Sequence, residues 1–384
     1  MSHVGVDELA RNAVHVLPEG GLEAKLELDR PLRVKLGIDV TAPDVTLGNG
    51  IPLQRMASFQ RAGHVGVLIV GDYTTRIGDP SGRSAARPVL SDEEIDRNAE
   101  RFVEQASTII DRERTEVRFN GEWLAKLDFA EVLKLTRTMT VAQILERDDF
   151  AKRQRAREPI SVSELLYPLM QAYDSVAVGA DVELGGTDQL YNLLAGREVM
   201  QAYGLEPQVA LTVEYLVSWD GAGMSASRGN YIGLEEDPND QFGKAMRIPD
   251  ELLPQWYRLV MESDDDPAAL DPLSAKLRLA RWIVGRSHGT DAAESAEEHF
   301  TRVVREGQAP EEVVEAPLPP GDPLHLPALL ATCFGLSTSE ARRLISQGGV
   351  RIDGQAVSEL DLAREALAGA LVQAGKRRFV RFSA

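Results

Sequence analysis

Apolar and polar positions in the first part of the chain alternate between a strand pattern and a helix pattern. An apolar run at residues 65–72 is typical of a parallel strand that is buried on both faces. Residues 34–39 predict an earlier strand, and a helix through about residue 62 lies between the two. This order implies a right-handed crossover in a doubly wound parallel sheet. The predicted fold class is therefore α/β with a Rossmann-like sheet, whose ligands bind beyond the carboxyl ends of the strands.

The rest of the pattern divides the chain into successive domains. Residues 1–30 predict a helical lead-in, and Ser91 with Glu94 forms a capping-box signature before a helix of about 20 residues. Residues 209–213 predict a further strand. The predicted domains are a catalytic domain at 1–232 with a helical insertion at about 90–160, a helical domain at 233–315, a proline-rich linker at 316–324 and a small α+β domain at 325–384.

Composition narrows the classes of function. The 384 residues carry a net charge of −18, which argues against broad, nonspecific affinity for nucleic acids. The charge is uneven, because residues 325–384 contain eight Lys or Arg and five Asp or Glu, a net of +3, and the remainder carries −21. The single cysteine, Cys333, excludes an intramolecular disulfide and fits a cytoplasmic location. The sequence lacks zinc-ligand spacing, a membrane-spanning apolar run and a signal peptide, so we expect no metal site and no membrane association.

Two neighbouring stretches carry the candidate chemistry. Tyr167, Gln171 and Asp174 lie at i, i+4 and i+7 of a predicted helix, so they project from one face. The strand that follows ends in Gly-Gly-Thr-Asp-Gln at 185–189, where the glycines let the backbone approach a ligand closely. The candidate binding residues of this second stretch are Gly186, Asp188 and Gln189. A single polar residue of this kind is typical of an ordinary helix or loop, whereas the combination favours a binding pocket.

The two stretches closely resemble the tyrosine pocket of bacterial tyrosyl-tRNA synthetases, and the resemblance covers nearly the whole chain, from about residue 22 to residue 382. It implies that Tyr167 and Gln171 hold the ammonium group and backbone of the amino acid. It also implies that Asp174 accepts the phenol hydroxyl. A buried acceptor of this kind rejects phenylalanine, because the acceptor would then be left without a partner.

The resemblance assigns three more residues to the amino acid. Gln189 is expected near the carboxylate, and Asp79 is expected to contact the ammonium group. Asp39 matches the family aspartate at the end of the first strand. The resemblance also implies ATP with Mg²⁺ as a substrate, tRNA as the acceptor and no tightly bound cofactor.

The two ATP signatures of the family are altered in this sequence. Thr46-Leu47-Gly48-Asn49 stands where the family has His-x-Gly-His at the start of a helix, and residues 223–227, Gly-Met-Ser-Ala-Ser, stand where it has Lys-Met-Ser-Lys-Ser. Those family groups stabilise charge on the leaving pyrophosphate. The candidate catalytic residues that remain are Thr41, Thr46, Asn49, Arg83, Ser225 and Arg228, and the candidate ATP-binding residues are Gly48, Met224 and Ser227. Because the lysines are missing, we expect the ATP chemistry to be impaired, or compensated by Arg228 or Arg83.

Two further segments resemble parts of the family that bind other macromolecules. Residues 147–153 resemble a dimer-forming insertion, which implies a homodimer. Residues 325–384 resemble a small RNA-binding domain shared with a ribosomal protein, which implies tRNA binding through this domain. The candidate phosphate contacts are Arg342, Arg343, Lys376, Arg377 and Arg378.

Three hypotheses stay open from the sequence. The first is a tyrosine–tRNA ligase with weak or compensated ATP chemistry. The second is a paralogue that joins a tyrosine-like amino acid to an acceptor other than tRNA. The third is a non-catalytic protein that binds tyrosine or tRNA. The intact amino-acid pocket beside altered ATP signatures supports a specialised paralogue, since random decay would affect both.

Overall fold

The computed structural model describes residues 5–79, 90–306, 313–375 and 378–383. The chain forms two compact units, of which one comprises Met1–Glu236 and Arg247–Leu279 and the other comprises Asp237–Met246 and Ala280–Ala384. The helical domain predicted at 233–315 is therefore divided between the two units. The first unit includes the whole catalytic domain predicted at 1–232.

The described residues of the two units form thirteen β-strands and seventeen α-helices. The strands are β1 (Ala13–Leu17), β2 (Arg33–Ile38), β3 (Val65–Val70), β4 (Thr115–Phe119), β5 (Val182–Gly186), β6 (Val209–Val213), β7 (Val314–Pro317), β8 (Leu324–His325), β9 (Val350–Ile352), β10 (Gln355–Ala356), β11 (Asp361–Leu362), β12 (Leu371–Ala374) and β13 (Arg378–Ser383). The α-helices are α1 (Val6–Leu9), α2 (Gly21–Leu26), α3 (Leu47–Arg61), α4 (Asp92–Ala106), α5 (Gly121–Leu124), α6 (Phe129–Thr136), α7 (Val141–Leu145), α8 (Asp148–Ala156), α9 (Val162–Val178), α10 (Leu190–Ala202), α11 (Pro238–Ala245), α12 (Leu253–Leu259), α13 (Pro272–His288), α14 (Thr290–His299), α15 (Leu326–Phe334), α16 (Thr338–Ser346) and α17 (Arg364–Leu367).

A six-stranded sheet forms the centre of the first unit, in the order β1-β6-β5-β2-β3-β4. Five of its strands are parallel, and β1 pairs antiparallel with β6 at one edge. All residues of β3 except the first are buried, which accounts for its continuous apolar run. The strands predicted at 34–39, 65–72 and 209–213 are thus present, and the α/β fold class is confirmed. The carboxyl ends of β2 and β5 lie side by side, because Leu36 pairs with Leu184.

Two predictions for local structure were wrong. The first 30 residues are not purely helical, since β1 lies between α1 and α2 and adds the antiparallel edge strand. The capping box of Ser91 and Glu94 is present, but α4 ends after 15 residues at Ala106 instead of running for about 20. The range of about 90–160 predicted for the helical insertion also contains β4, a strand of the central sheet. After β4, the short helices α6, α7 and α8 pack with α9 and α10 around Phe150, which is fully buried.

The second unit contains a five-stranded sheet in the order β10-β9-β12-β13-β7. The predicted capped helix is α16, with Ser337 as its N-cap, and the predicted Asp-Gly turn joins β9 to β10 with positive φ at Asp353 and Gly354. The predicted linker at 316–324 was wrong at its start, because β7 pairs in parallel with β13 through Pro317. Its last residue, Leu324, belongs to β8.

None of the helices in the described part of the chain combines the length and the apolar character needed to cross a membrane. Within the same residues, no group of three or more His, Cys, Asp or Glu side chains is arranged to hold a metal ion.

Candidate active site

A cavity of about 280 Å³ opens at the carboxyl ends of β2 and β5, where a doubly wound sheet is expected to bind its ligands. Most of the residues predicted from the sequence for the amino acid and for ATP line it. These are Asp39, Thr41, Thr46, Gly48, Asn49, Asp79, Tyr167, Gln171, Asp174, Gly186, Asp188, Gln189 and Met224. The fold therefore brings together residues that are up to 185 positions apart, from Asp39 to Met224.

A second cavity of about 200 Å³ shares part of this lining. Asp39, Thr41, Thr46, Asn49 and Met224 line both cavities. The second cavity also reaches Ser225 and Ser227, two further residues of the segment that resembles an ATP signature. The amino-acid side and the signature side of the site are thus adjacent.

Helix α9 supplies the predicted stripe of Tyr167, Gln171 and Asp174. It begins at a capping box of Ser161 and Glu164 and ends at Gly179, whose φ of 61° is left-handed. These two caps fix where the helix starts and stops. The stripe at i, i+4 and i+7 consequently faces the sheet and the cavity.

Asp174 lies in a nearly closed environment, with 3% of its surface exposed. Trp123 Nε1 donates to its Oδ1 at 2.8 Å, and Asn120 Nδ2 donates to its Oδ2 at 3.3 Å. Burial raises the pKa of Asp174 to about 7, and the Lys35 ammonium opposes that rise. The carboxyl group is therefore poised to accept a ligand hydroxyl near neutral pH. Trp123 and Asn120 were not predicted, because they follow β4 in a segment that carried no motif.

The other carboxylates that line the cavity are held by neighbouring donors. Tyr167 Oη donates to Asp39 Oδ2 at 3.1 Å, and Thr74 Oγ1 donates to Asp39 Oδ1 at 2.7 Å. Gln189 Nε2 donates to Asp79 Oδ2 and to Asp188 Oδ2, each at 2.8 Å. These carboxylates suit an ammonium group, which is the role that the resemblance gave to Asp79.

The orientation of Gln189 is set by a chain of hydrogen bonds from the insertion. Asn192 Nδ2 donates to Gln189 Oε1 at 2.9 Å, so the amide presents its nitrogen to the two aspartates. Arg147 Nη1 donates in turn to Asn192 Oδ1 at 3.3 Å. Arg147 also forms two hydrogen bonds to Asp149, at 2.6 and 2.7 Å. The segment that resembles the dimer-forming insertion therefore contacts the site through Asn192.

On the signature side, Thr46 and Asn49 bond to each other at the start of α3. Thr46 Oγ1 and the Thr46 backbone N–H both donate to Asn49 Oδ1, at 2.8 and 3.0 Å. The Asn49 backbone N–H donates to Thr46 Oγ1 at 3.2 Å. This is a capping box, in which the two side chains satisfy backbone groups of the helix start. The oxygens that cap the helix occupy the position where a helix N-terminus would otherwise meet an anion.

The loop that contains the second signature is also tied down by its own residues. The Ser225 backbone N–H donates to Asn230 Oδ1 at 3.0 Å, and Asn230 Nδ2 bonds both oxygens of Asp220 at 3.0 Å. Ser225 Oγ and Ser227 Oγ are 2.9 Å apart. Arg228 is exposed and is not among the described residues that line either cavity. Of the two predicted replacement cations, Arg83 lies outside the described residues.

The described residues that line the two cavities include no lysine and no arginine. The signature positions contribute hydroxyl, amide and thioether groups instead. This lining can donate hydrogen bonds to a phosphate, but it adds no positive charge.

The predicted RNA contacts lie in the second unit. Arg342 and Arg343 are exposed on α16, and Arg378 is exposed on β13. Lys376 and Arg377 lie outside the described residues. Arg351 and Arg381 are also exposed on strands of the same sheet and were not singled out from the sequence. Their spacing in short strands gave no signal that separated them from ordinary surface residues.

Comparison with known proteins matches both units. The family model of the tRNA synthetases class I (W and Y) matches residues 27–305, and that of the S4 domain matches residues 326–361. The tyrosine–tRNA ligase of Moorella thermoacetica is 47% identical, with 97% of this chain and 94% of the relative covered. The tyrosine–tRNA ligase of Thermotoga maritima is 43% identical, with 98% and 96% covered. Among solved structures, the tyrosyl-tRNA synthetase of Archaeoglobus fulgidus complexed with L-tyrosine has a TM-score of 0.61 at 22% identity, over 76% of this chain and 97% of its own, and supports the fold.

The parallel sheet, its cavity and the family match over residues 27–305 define an enzyme of the class I aminoacyl-tRNA synthetase type. Identities of 43% and 47% over nearly the full length narrow this class further. The chain belongs to the tyrosyl-tRNA synthetase family and carries an S4 domain. The family, the enzyme type and the RNA-binding type of the second domain are as predicted from the sequence.

Proposed function

We propose that this chain binds tyrosine, activates it slowly with ATP and Mg²⁺, and transfers the tyrosyl group to tRNA. In the first step, a carboxylate oxygen of tyrosine attacks the α-phosphorus of ATP and pyrophosphate leaves. In the second step, a terminal ribose hydroxyl of tRNA attacks the adenylate carbonyl and AMP leaves. The observation that carries the choice of amino acid is Asp174, a buried carboxyl group that lines the cavity.

The geometry supports a role for each end of the amino acid. The Asp174 carboxyl is the acceptor for a phenol hydroxyl. Asp39, Asp79 and Tyr167 supply acceptors for the ammonium group, and Gln189 supplies an amide beside the expected carboxylate. The names of the relatives, which are tyrosine–tRNA ligases, agree with this assignment.

The lining of the signature side supports the proposal of a slow first step. Each transition-state donor that is removed from such a site costs on the order of 10²–10³ in rate, although the losses are not additive. Thr46 and Asn49 are engaged with each other, and the described lining holds no lysine or arginine. Arg228 and Arg83 are the residues that we propose as compensating cations.

A second candidate function is favoured by the same feature. A site that binds tyrosine beside a hydroxyl-rich cavity whose described lining holds no lysine or arginine suits a paralogue that joins the amino acid to a small acceptor, or one that only senses tyrosine. The side chains of Ser225, Ser227 and Thr46 would then contact the second ligand instead of a triphosphate.

Tyrosine-dependent exchange of labelled pyrophosphate into ATP tests the proposal. Calorimetric titration with tyrosine, run in parallel, establishes whether the pocket is occupied. Binding with slow exchange supports the proposed ligase, and binding with undetectable exchange supports the second candidate. Exchange at the rate of an ordinary synthetase would contradict the slow first step, and no tyrosine binding would contradict both functions.

We also propose a homodimer and retain the helical insertion as its interface. Several apolar side chains of the insertion and of the start of α9 are exposed: Phe129, Leu133, Val141 and Val162 are 77%, 43%, 60% and 73% exposed. These exposed apolar side chains support the proposal that the insertion contacts a second copy of the chain. Static light scattering at micromolar concentration measures the mass, and a monomer mass would contradict the dimer.

A further inference from the structure

A buried ion pair lies beneath the amino-acid pocket and has no assigned role. Lys35 on β2 and Glu183 on β5 are partners in the parallel register, and their side chains are 0% and 1% exposed. Lys35 Nζ lies 2.8 Å from Glu183 Oε1. Partners in register on adjacent strands project to the same face of a sheet, and here that face is covered by α9.

Every donor of the lysine is used. Besides Glu183, Lys35 Nζ donates to Ser175 Oγ at 2.8 Å and to the Gln171 carbonyl oxygen at 3.0 Å. Ser175 Oγ and Gln208 Nε2 donate to Glu183 Oε2, at 3.0 and 2.8 Å. An ammonium group has three N–H donors, so these contacts satisfy it completely.

The fold also leaves room for this cluster. Gly196 on α10 faces it, and a Cβ atom there would lie 2.4 Å from Gln208 Nε2 and 3.1 Å from Glu183 Oε2. Any larger residue would push the two groups apart. The absence of a side chain at position 196 therefore belongs to the same arrangement.

A contribution to the stability of the fold does not by itself explain a buried ion pair of this kind. Well-packed apolar residues of similar volume are often as stabilising or more so, because burying two charges costs free energy that their attraction repays only in part. The contacts of Lys35 point to a different role, since they reach the helix face that forms the pocket. Gln171 lines the pocket, and Ser175 directly follows Asp174.

We propose that Lys35, held in place by Glu183, is a positioning residue that fixes the pocket face of α9 and keeps the Asp174 carboxyl able to accept the hydroxyl of a phenolic amino acid. The inference rests on the proposed binding of tyrosine. Lys35 acts through Asp174 and Gln171, and it does not itself line the cavity.

The described groups around Asp174 come from several elements, and Lys35 is the cation among those that affect its ionisation. Lys35 on β2 favours its ionised form, and Glu183 on β5 opposes it with a smaller effect. Asn120 and Trp123, beyond the end of β4, contribute neutral donors. Asp39, after β2, is a further carboxylate of the same cavity.

The test measures the dissociation constants of tyrosine and phenylalanine from pH 5.5 to 9 in the parent and in two variants. Lys35→Met removes the cation, and the double variant Lys35→Met with Glu183→Met removes the whole pair at similar volume. The second variant is needed because a lone buried carboxylate can prevent folding. Phenylalanine shares the ammonium and carboxylate groups of tyrosine, so the ratio of the two constants isolates the hydroxyl.

We expect the preference for tyrosine to fall roughly 10-fold or more at pH 7 in both variants, because an acceptor that loses its counter-charge is protonated at higher pH. When the ratio of the two dissociation constants is plotted against pH, the midpoint of the curve should move to higher pH. The preference for tyrosine should recover in part at pH 9. Lys25→Met is the matched control, since Lys25 is also buried and paired, with Glu206 and Asp181. It should leave the midpoint unchanged.

Equal weakening of both ligands with no shift of the midpoint would show a merely structural role and overturn the inference. In that case the parent would still prefer tyrosine, so the proposed function would stand. A parent that binds neither ligand would overturn the proposed function, and the role of Lys35 with it.

Discussion

The most informative single group is the Asp174 carboxyl. Its folded pKa of about 7 means that it is increasingly ionised as the pH rises through neutrality, and only the ionised group is a pure acceptor. We therefore expect tyrosine to raise the melting temperature more than phenylalanine does, and the difference to grow from pH 6 to pH 8. Asp174→Ala should remove the difference, because the phenol hydroxyl then has no carboxyl group to which it can donate.

Differential scanning fluorimetry with saturating amino acid measures both effects. Asp96→Asn is a suitable control, because Asp96 is an exposed carboxylate on α4. Equal shifts for tyrosine and phenylalanine in the parent would show that the pocket recognises another feature of its ligand.

The residues of the pocket could be predicted only where they belong to a recognisable sequence motif. Tyr167, Gln171 and Asp174 share a helical face, and that spacing is visible in the sequence. The partners of Asp174 are not visible in this way. Trp123 comes from a distant segment, and Lys35 reads as one polar residue in an apolar strand. Their roles depend on strand register and on the packing of α9, which no local pattern specifies.

The start of α3 shows how the altered signature is accommodated. Thr46 and Asn49 are good capping residues, and they give the helix a self-contained cap at the positions that the resemblance assigns to two imidazoles. Position 223 has room for a Cβ atom, which would meet only the Tyr215 ring, at 3.5 and 3.7 Å. Replacing Gly223 by a residue with a side chain therefore causes no clash at the Cβ atom.

Restoring the family groups should accelerate adenylation. The variant contains Thr46→His, Asn49→His, Gly223→Lys and Ala226→Lys, and pyrophosphate exchange measures the rate. We expect a gain of roughly 10²-fold or more, since the donors and charges return to the pyrophosphate side. Gln154→Lys with Gln201→Lys adds the same two charges at exposed helix positions and should leave the rate unchanged. A slow parent that the restoration does not improve would favour a site that no longer serves ATP.

The elements that the sequence predicted well have continuous or strongly periodic patterns. Strand β3 and the capping box of α4 are examples. Strand β1 was missed because five residues beside short helices leave no clear period, and its assignment depends on pairing with β6. Strand β7 was missed because its valine, alanine and proline are typical of a linker. These residues form a strand because they pair with the edge of β13.

At the level of the entire chain, the distribution of charge separates the two kinds of ligand. The protein carries −18 overall, while residues 325–384 carry +3, so phosphate groups of RNA are expected to contact the basic tail domain. The exposed Arg342 and Arg343 on α16 are the best-defined contacts in its described part. A protein that neutralises phosphates releases counterions, and its affinity then falls as salt concentration rises.

Replacing both arginines of α16 by alanine in the full-length protein should weaken tRNA binding and make it less sensitive to salt. The slope of log K against log salt should decrease by roughly 0.7–0.9 for each phosphate contact that is lost. Fluorescence anisotropy between 50 and 300 mM salt measures this slope, and Arg61→Ala at the exposed end of α3 is the control. Tyrosine binding should be unchanged in both variants, because neither site lies in the pocket. If the slope of the α16 variant equals that of the parent, the phosphate contacts lie on another surface. The acidic body would then have to bind RNA despite its net charge of −21, which the long-range electrostatics disfavour.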